Sequence, residues 1–179
     1  MRMATLAAHG IVVPLPSGFE GRIFVRERVG DEVPYPVTQL ATFPLPSNVG
    51  DFGGGAVNLM GSRDIFATLF EYGPESLGKR LFARAGMPRS LTTDDFRPYV
   101  LRRGLSGQSG TQWFFTESDR PFTLYVVLGS HALRHLLVPR VNSLIGSLAV
   151  SPPSGLTAGV VPRADAAAPS NPPGVARWN

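Results

Sequence analysis

His131 and His135 stand four residues apart in the run His-Ala-Leu-Arg-His. On a helix that spacing puts two imidazoles on one face, the geometry of a two-histidine zinc site. The metalloprotease pattern has a glutamate directly after the first histidine, and here that place is Ala132. His9 is the one other histidine, and Arg134 brings a positive charge that repels a cation. The expected role of the pair is therefore solvent-facing, near a helix start, and no metal ligand is assigned.

Other residue types with chemical potential are equally short of partners. Ser106 and Ser109 lie in Gly-Leu-Ser-Gly-Gln-Ser-Gly, residues 104–110. A nucleophile elbow needs Gly-x-Ser-x-Gly between a strand and a helix. Neither serine has the second glycine in place, and the loop leads into a strand, so it reads as a linker. Asp94 and Asp95 form a carboxylate pair, but adjacent side chains diverge, and the preceding Thr92-Thr93 suits a helix cap. An enzyme would need His131 or His135 to converge with Asp94, Asp95 or Glu117. Arg102, Arg103 and Arg120 can bind anions or stack on Trp113. The aromatic residues sit in the most apolar runs, however, so a core role is expected for them. No catalytic residue, cofactor or metal is assigned.

The elements that must position these residues centre on 110–150. Trp113-Phe114-Phe115 and Phe122 to Leu128 are apolar runs separated by Glu117, Ser118, Asp119 and Arg120. Alternation puts Trp113 and Phe115 on one face and Phe114 on the other. Phe122, Leu124, Val126 and Leu128 share a face, with Thr123, Tyr125 and Val127 opposite. After Gly129 the period changes. Leu133, Leu136, Leu137, Val141, Leu144, Ile145 and Leu148 fit one helical stripe. Pro139 either bends a helix over about 132–148 or opens a shorter one, and a helix over at least 139–148 is expected.

Upstream, strands are expected at 10–16, 20–28 and 40–45, with a loop at 30–36. Residues 47–55 contain Gly53-Gly54-Gly55 and read as a surface loop, since no Gly-Lys-Ser/Thr phosphate-binding pattern is present. Residues 56–60 and 65–72 form a second expected hairpin around Gly61 to Asp64. Both faces of 65–72 are apolar, which predicts a central strand covered on both sides. Gly73-Pro74-Glu75-Ser76 opens an expected helix over 74–85, closed by Gly86 and Pro88. One helical turn is expected near Asp94, and Tyr99 to Leu101 suggests a short strand or packed loop.

Composition narrows the function classes. The 179 residues suit one domain, and 43% are hydrophobic, enough for a core. The formal charge is +4, yet only 17% of residues are charged and Lys79 is the single lysine. The arginines are scattered without a basic stripe, so nucleic-acid binding is not expected. With no cysteine, disulfides, thiol catalysis and thiolate metal sites are excluded. The apolar run from Ala4 to Val13 is short and interrupted by His9-Gly10, so it is not read as a signal peptide. No run of 18 apolar residues predicts a membrane span, and a cytoplasmic location is the expectation. From Ser151 the chain is rich in Ser, Pro, Ala and Gly, and 151–179 is expected to be a disordered tail apart from the domain 1–150, with Trp178 a possible anchor for a partner.

Two segments together carry a resemblance. Leu15-Pro16-Ser17-Gly18-Phe19 is similar to the opening of PsbP-like domains. A final hairpin feeding a helix through Asn142-Ser143-Leu144-Ile145-Gly146-Ser147-Leu148 is similar to their close. The resemblance implies an antiparallel sheet of about six strands flanked by helices, an α+β fold of the α/β/α sandwich type. It also implies a non-catalytic binding or assembly role; the missing catalytic clusters and the buried-looking aromatic set independently lead to an interaction or accessory domain, with another protein as the expected partner. No ligand residue of that family is carried over.

Overall fold

The hairpin around Ser118-Asp119 closes one side of the larger sheet in a computed structural model that describes residues 4–31, 33–47, 50–98 and 105–153. The suggested strand at Tyr99 to Leu101, the residues Arg102 and Arg103, and the tail from 154 with Trp178 lie outside the described residues. Strands Ser109–Glu117 and Arg120–Leu128 pair antiparallel over their whole lengths. Ser118 and Asp119 between them have φ of 51° and 57°, the left-handed pair that a two-residue turn needs to match strand twist. The loop expected over 104–110 is therefore shorter, because Ser109 and Gly110 already belong to the strand.

Among the described residues, numbered along the chain, the strands are β1 Thr5–Ala8, β2 Ile11–Pro14, β3 Glu20–Val25, β4 Pro36–Ala41, β5 Ile65–Glu71, β6 Ser109–Glu117, β7 Arg120–Leu128 and β8 Ala149–Val150, with one helix, α1 Arg134–Ser147, between β7 and β8. They form two antiparallel sheets, β1-β2-β8 and β3-β4-β5-β7-β6. The α+β class is as expected, although the strands divide into a sheet of three and a sheet of five. Among the described residues, no helix is long and apolar enough to cross a membrane.

The main core lies between one face of the larger sheet and a cover made by α1 and β2. Leu40, Ala67, Leu69, Phe115, Phe122, Leu124 and Val126 meet Ile11, Val13, Leu137, Val141, Leu144 and Ile145 there. Trp113 is partly buried against this core, on the same face as Phe115, and pairs with Leu124 across the ladder. Phe115 and Phe122 stack with centroids 5.9 Å apart. The aromatic ribbon is interior packing, as its alternation predicts. β5 is central and covered on both faces, again as expected.

The opposite face carries a second layer of packing. Phe66, Val127, Ala41 and Ala56 are buried there, with Phe43, Val57, Met60 and Tyr125 against them. Gly53 makes this possible. It has φ of +78°, and any side chain on it would run into the Phe66 ring.

Three expectations are corrected. The strand placed at 40–45 is β4, Pro36–Ala41, which takes in the end of the expected loop at 30–36. All six of its residues are buried because β3 and β5 flank it, and the Pro44 and Pro46 region leaves the sheet. The strand at 56–60 is a 3₁₀ turn, Val57–Leu59, lying over the second face. The helix at 74–85 is absent: two separate 3₁₀ turns, Pro74–Ser76 and Arg80–Phe82, flank Gly78 at φ +77°. Leu81 is 57% exposed, whereas Phe82 is buried. The strand expected at 10–16 is present as β2, where it forms the second arm of a hairpin with β1.

The terminal helix is one helix with Pro139 inside it. Leu137, Val138, Val141, Leu144 and Ile145 are buried, but Leu136 points outward. Thr93–Asp95 is the single 3₁₀ turn expected near Asp94, with reciprocal capping by Thr92 and Asp95.

Candidate functional site

The C-terminal end of β5 carries Phe70 and Glu71 and passes into Tyr72. Two-residue periodicity sends Phe70 and Tyr72 to the second face and Glu71 toward the main core. The rings of Phe70 and Tyr72 meet at 4.9 Å and 63°, and Tyr72 continues to Phe82 at 5.0 Å. On the other side Phe52 stacks on Phe70 at 5.4 Å. A ladder of aromatic rings thus crosses the sheet.

Beside that ladder is a cleft of about 410 Å³, within the usual range for small-ligand sites. It is lined by Arg26 after β3, by Val33, Pro34 and Tyr35 before β4, and by the stretch from Phe70 to Gly73 together with Glu75. Each ionisable side chain has a distinct situation. Arg26 pairs with Asp51 at 3.0 Å and lies 5.7 Å from the Phe70 ring centroid. Glu71 is held by Arg120 through two hydrogen bonds of 2.8 and 2.5 Å. Glu75 is exposed, its carboxylate lies over Gly73 where a Cβ would collide with it, and it takes no ion pair among the described residues.

Burial, and then the negative charges of Glu75 and Glu71, push the Tyr35 hydroxyl above its ordinary pKa of 10.0. Burial alone pushes the Tyr72 hydroxyl up. Both phenols stay protonated at neutral pH, able to donate and accept hydrogen bonds. The cleft therefore joins aromatic walls, two hydroxyls and a carboxylate, and it contains no nucleophile activated by a neighbouring base.

The residues singled out for chemistry lie elsewhere. His131 precedes α1, so the two histidines do not share a helical face. The His131 backbone N–H donates to the Gly107 carbonyl at 2.6 Å, while its buried Nδ1 has no partner. His135 is exposed. Asp95 accepts from the Thr92 N–H at 2.6 Å and the Thr92 hydroxyl at 2.9 Å, and Asp94 is exposed. Glu117 accepts from the Met87 N–H at 2.8 Å and pairs with Arg89 at 3.4 Å. Glu117 ends β6, and His131 lies against the segment that enters it. At about 3.3 Å per residue the two ends of β6 are roughly 26 Å apart.

Ser106 is exposed and Ser109 is buried in β6, its hydroxyl without a partner. Trp113 takes Arg84 over its ring at 4.8 Å. Arg120 faces Glu71 and the interior. No group of three or more His, Cys, Asp or Glu is placed to hold a metal ion among the described residues.

Sequence reasoning missed the cleft. Phe70 and Tyr72 belong to an expected strand, but Tyr35 falls in an expected loop and Glu75 at the opening of an expected helix. A second aromatic-rich face on a central strand, with too few apolar elements left to cover it, was the available signal. No family model matches the chain, and comparison with curated proteins and with solved structures gives no significant match.

Proposed function

We propose that the protein is a non-catalytic interaction domain that engages another protein through the cleft between Tyr35 and Tyr72. The carrying observation is the cleft itself, where aromatic side chains and a few polar groups converge in a concave site. The separation of His131 from Glu117 and the use of Asp95 as a cap support a binding role over a catalytic one. Arg22, Arg26, Arg84, Arg89, Arg120 and Arg140 are engaged with groups of the fold rather than gathered into a phosphate-binding stripe. A PsbP-like α/β/α relationship belongs to the same proposal. The antiparallel larger sheet with a C-terminal helix packed on it supports that relationship.

The test places the photo-cross-linker benzoylphenylalanine at Tyr35 in the full chain, expressed in its native cells. Adducts of discrete mass are expected there, and not from the same residue at Leu136 on the exposed side of α1. Absence of any Tyr35-specific adduct overturns the reading.

A further inference from the structure

Resting on that reading of the cleft, we infer that its ligand is a positively charged side chain, the guanidinium or ammonium group of a partner's arginine or lysine. Charge pairing around the cleft decides the sign. Three ionisable groups of opposite kinds line it besides the two tyrosines: Arg26, Glu71 and Glu75. Arg26 is paired with Asp51, and Glu71 is paired with Arg120. Among the described residues Glu75 is left as the uncompensated charge, so the lining is net negative. An anionic ligand would find no uncommitted cation in the lining and would face this carboxylate.

The walls agree with the sign. Tyr72 and Tyr35 contribute aromatic rings, whose faces attract cations through the quadrupole of the π-system. Arg26 already exploits that attraction from the rim, with its guanidinium over Phe70. A second cation in the cleft would find both the Tyr72 ring and the Glu75 carboxylate in its lining. The hydroxyls of Tyr35 and Tyr72 can accept hydrogen bonds from its N–H groups. Gly73 keeps the space in which the Glu75 carboxylate lies, since a side chain there would displace it.

The test is an NMR titration of the full chain with arginine, lysine and citrulline, each capped at both ends so that only the side chain differs. Capped arginine and capped lysine are expected to give saturable shifts at 33–35 and 70–75. Neutral citrulline should bind about tenfold more weakly, Glu75→Gln should weaken arginine binding about threefold or more, and added salt should weaken it further. Glu75 is exposed, so the variant should keep its fold. Equal binding of citrulline, undiminished binding by Glu75→Gln, or no saturable shift overturns the inference. Where cross-linking from Tyr35 still traps a partner, that failure is confined to the ligand class; where it traps none, the interaction reading fails as well.

Discussion

Arg120 grips Glu71 from the neighbouring strand, with Nε 2.8 Å from Oε1 and Nη2 2.5 Å from Oε2. The two side chains are only 5% and 9% exposed. The same guanidinium donates from Nη2 to the His9 carbonyl and from Nη1 to the Ser151 carbonyl, each at 3.0 Å. One side chain thus ties the first hairpin turn, the central strands and the segment after β8. Breaking a buried pair leaves an uncompensated charge, so Glu71→Gln should lose about 3–5 kcal/mol of unfolding free energy. The double variant Glu71→Leu with Arg120→Met should recover only part, because the His9 and Ser151 carbonyls still lack a donor. Urea unfolding of the three proteins checks both outcomes.

Phe115 and Phe122 face each other across the β6–β7 ladder and are fully buried. Phe115→Ala should cost about 3–5 kcal/mol through lost burial and the cavity left behind. Phe114→Ala, on the half-buried second face, should cost less. Denaturant midpoints of the two variants decide the order.

Gly129 closes β7 against the chain reversal before β5. A Cβ at this position would overlap the Gly61 carbonyl oxygen, and backbone cannot move aside as a side-chain tip can. Gly129→Ala should therefore destabilise by about 2 kcal/mol or more. Gly54→Ala, where a Cβ meets nothing within 4 Å, should stay within about 0.5 kcal/mol of the parent. Thermal unfolding of the pair tests the contrast.

Pro139 sits inside α1 with no N–H to offer the His135 carbonyl one turn back. It is exposed, so replacement disturbs no core contact. Pro139→Ala should raise stability by about 1 kcal/mol by restoring a helical hydrogen bond. A lower unfolding midpoint would count against the unbroken helix.

Tyr35, Tyr72 and Tyr125 all have hydroxyls raised above 10.0, each mainly by burial. A raised folded-state value means that the folded protein holds these protons more tightly than the unfolded chain. The associated stability is fully present below pH 10 and is lost as pH rises through the folded-state values. Phenolate absorbance during alkaline titration should show these tyrosines ionising late, followed by unfolding. Replacing all three by Phe should flatten the alkaline loss of stability.

The hairpin of β6 and β7, the faces of its residues, the central burial of β5 and the helical stripe after Gly129 were all legible in the chain. Each rests on near-neighbour geometry: alternation, a short polar turn or an i to i+4 stripe. The segment from Pro74 to Ala85 shows where such reasoning ends. Its leucines have helical spacing, but the Gly86 N–H donates to the Thr116 carbonyl and the Thr116 N–H to the Arg84 carbonyl. Phe82 meanwhile is drawn onto Tyr72 and Phe114. Pairing with the β6 edge and aromatic burial outweigh helix propensity, and Gly78 takes the left-handed turn they require. The cleft was hidden for a related reason. Its walls come from 26, 33–35 and 70–75, stretches with no local pattern in common, and only the order of β3, β4 and β5 in the sheet brings them together.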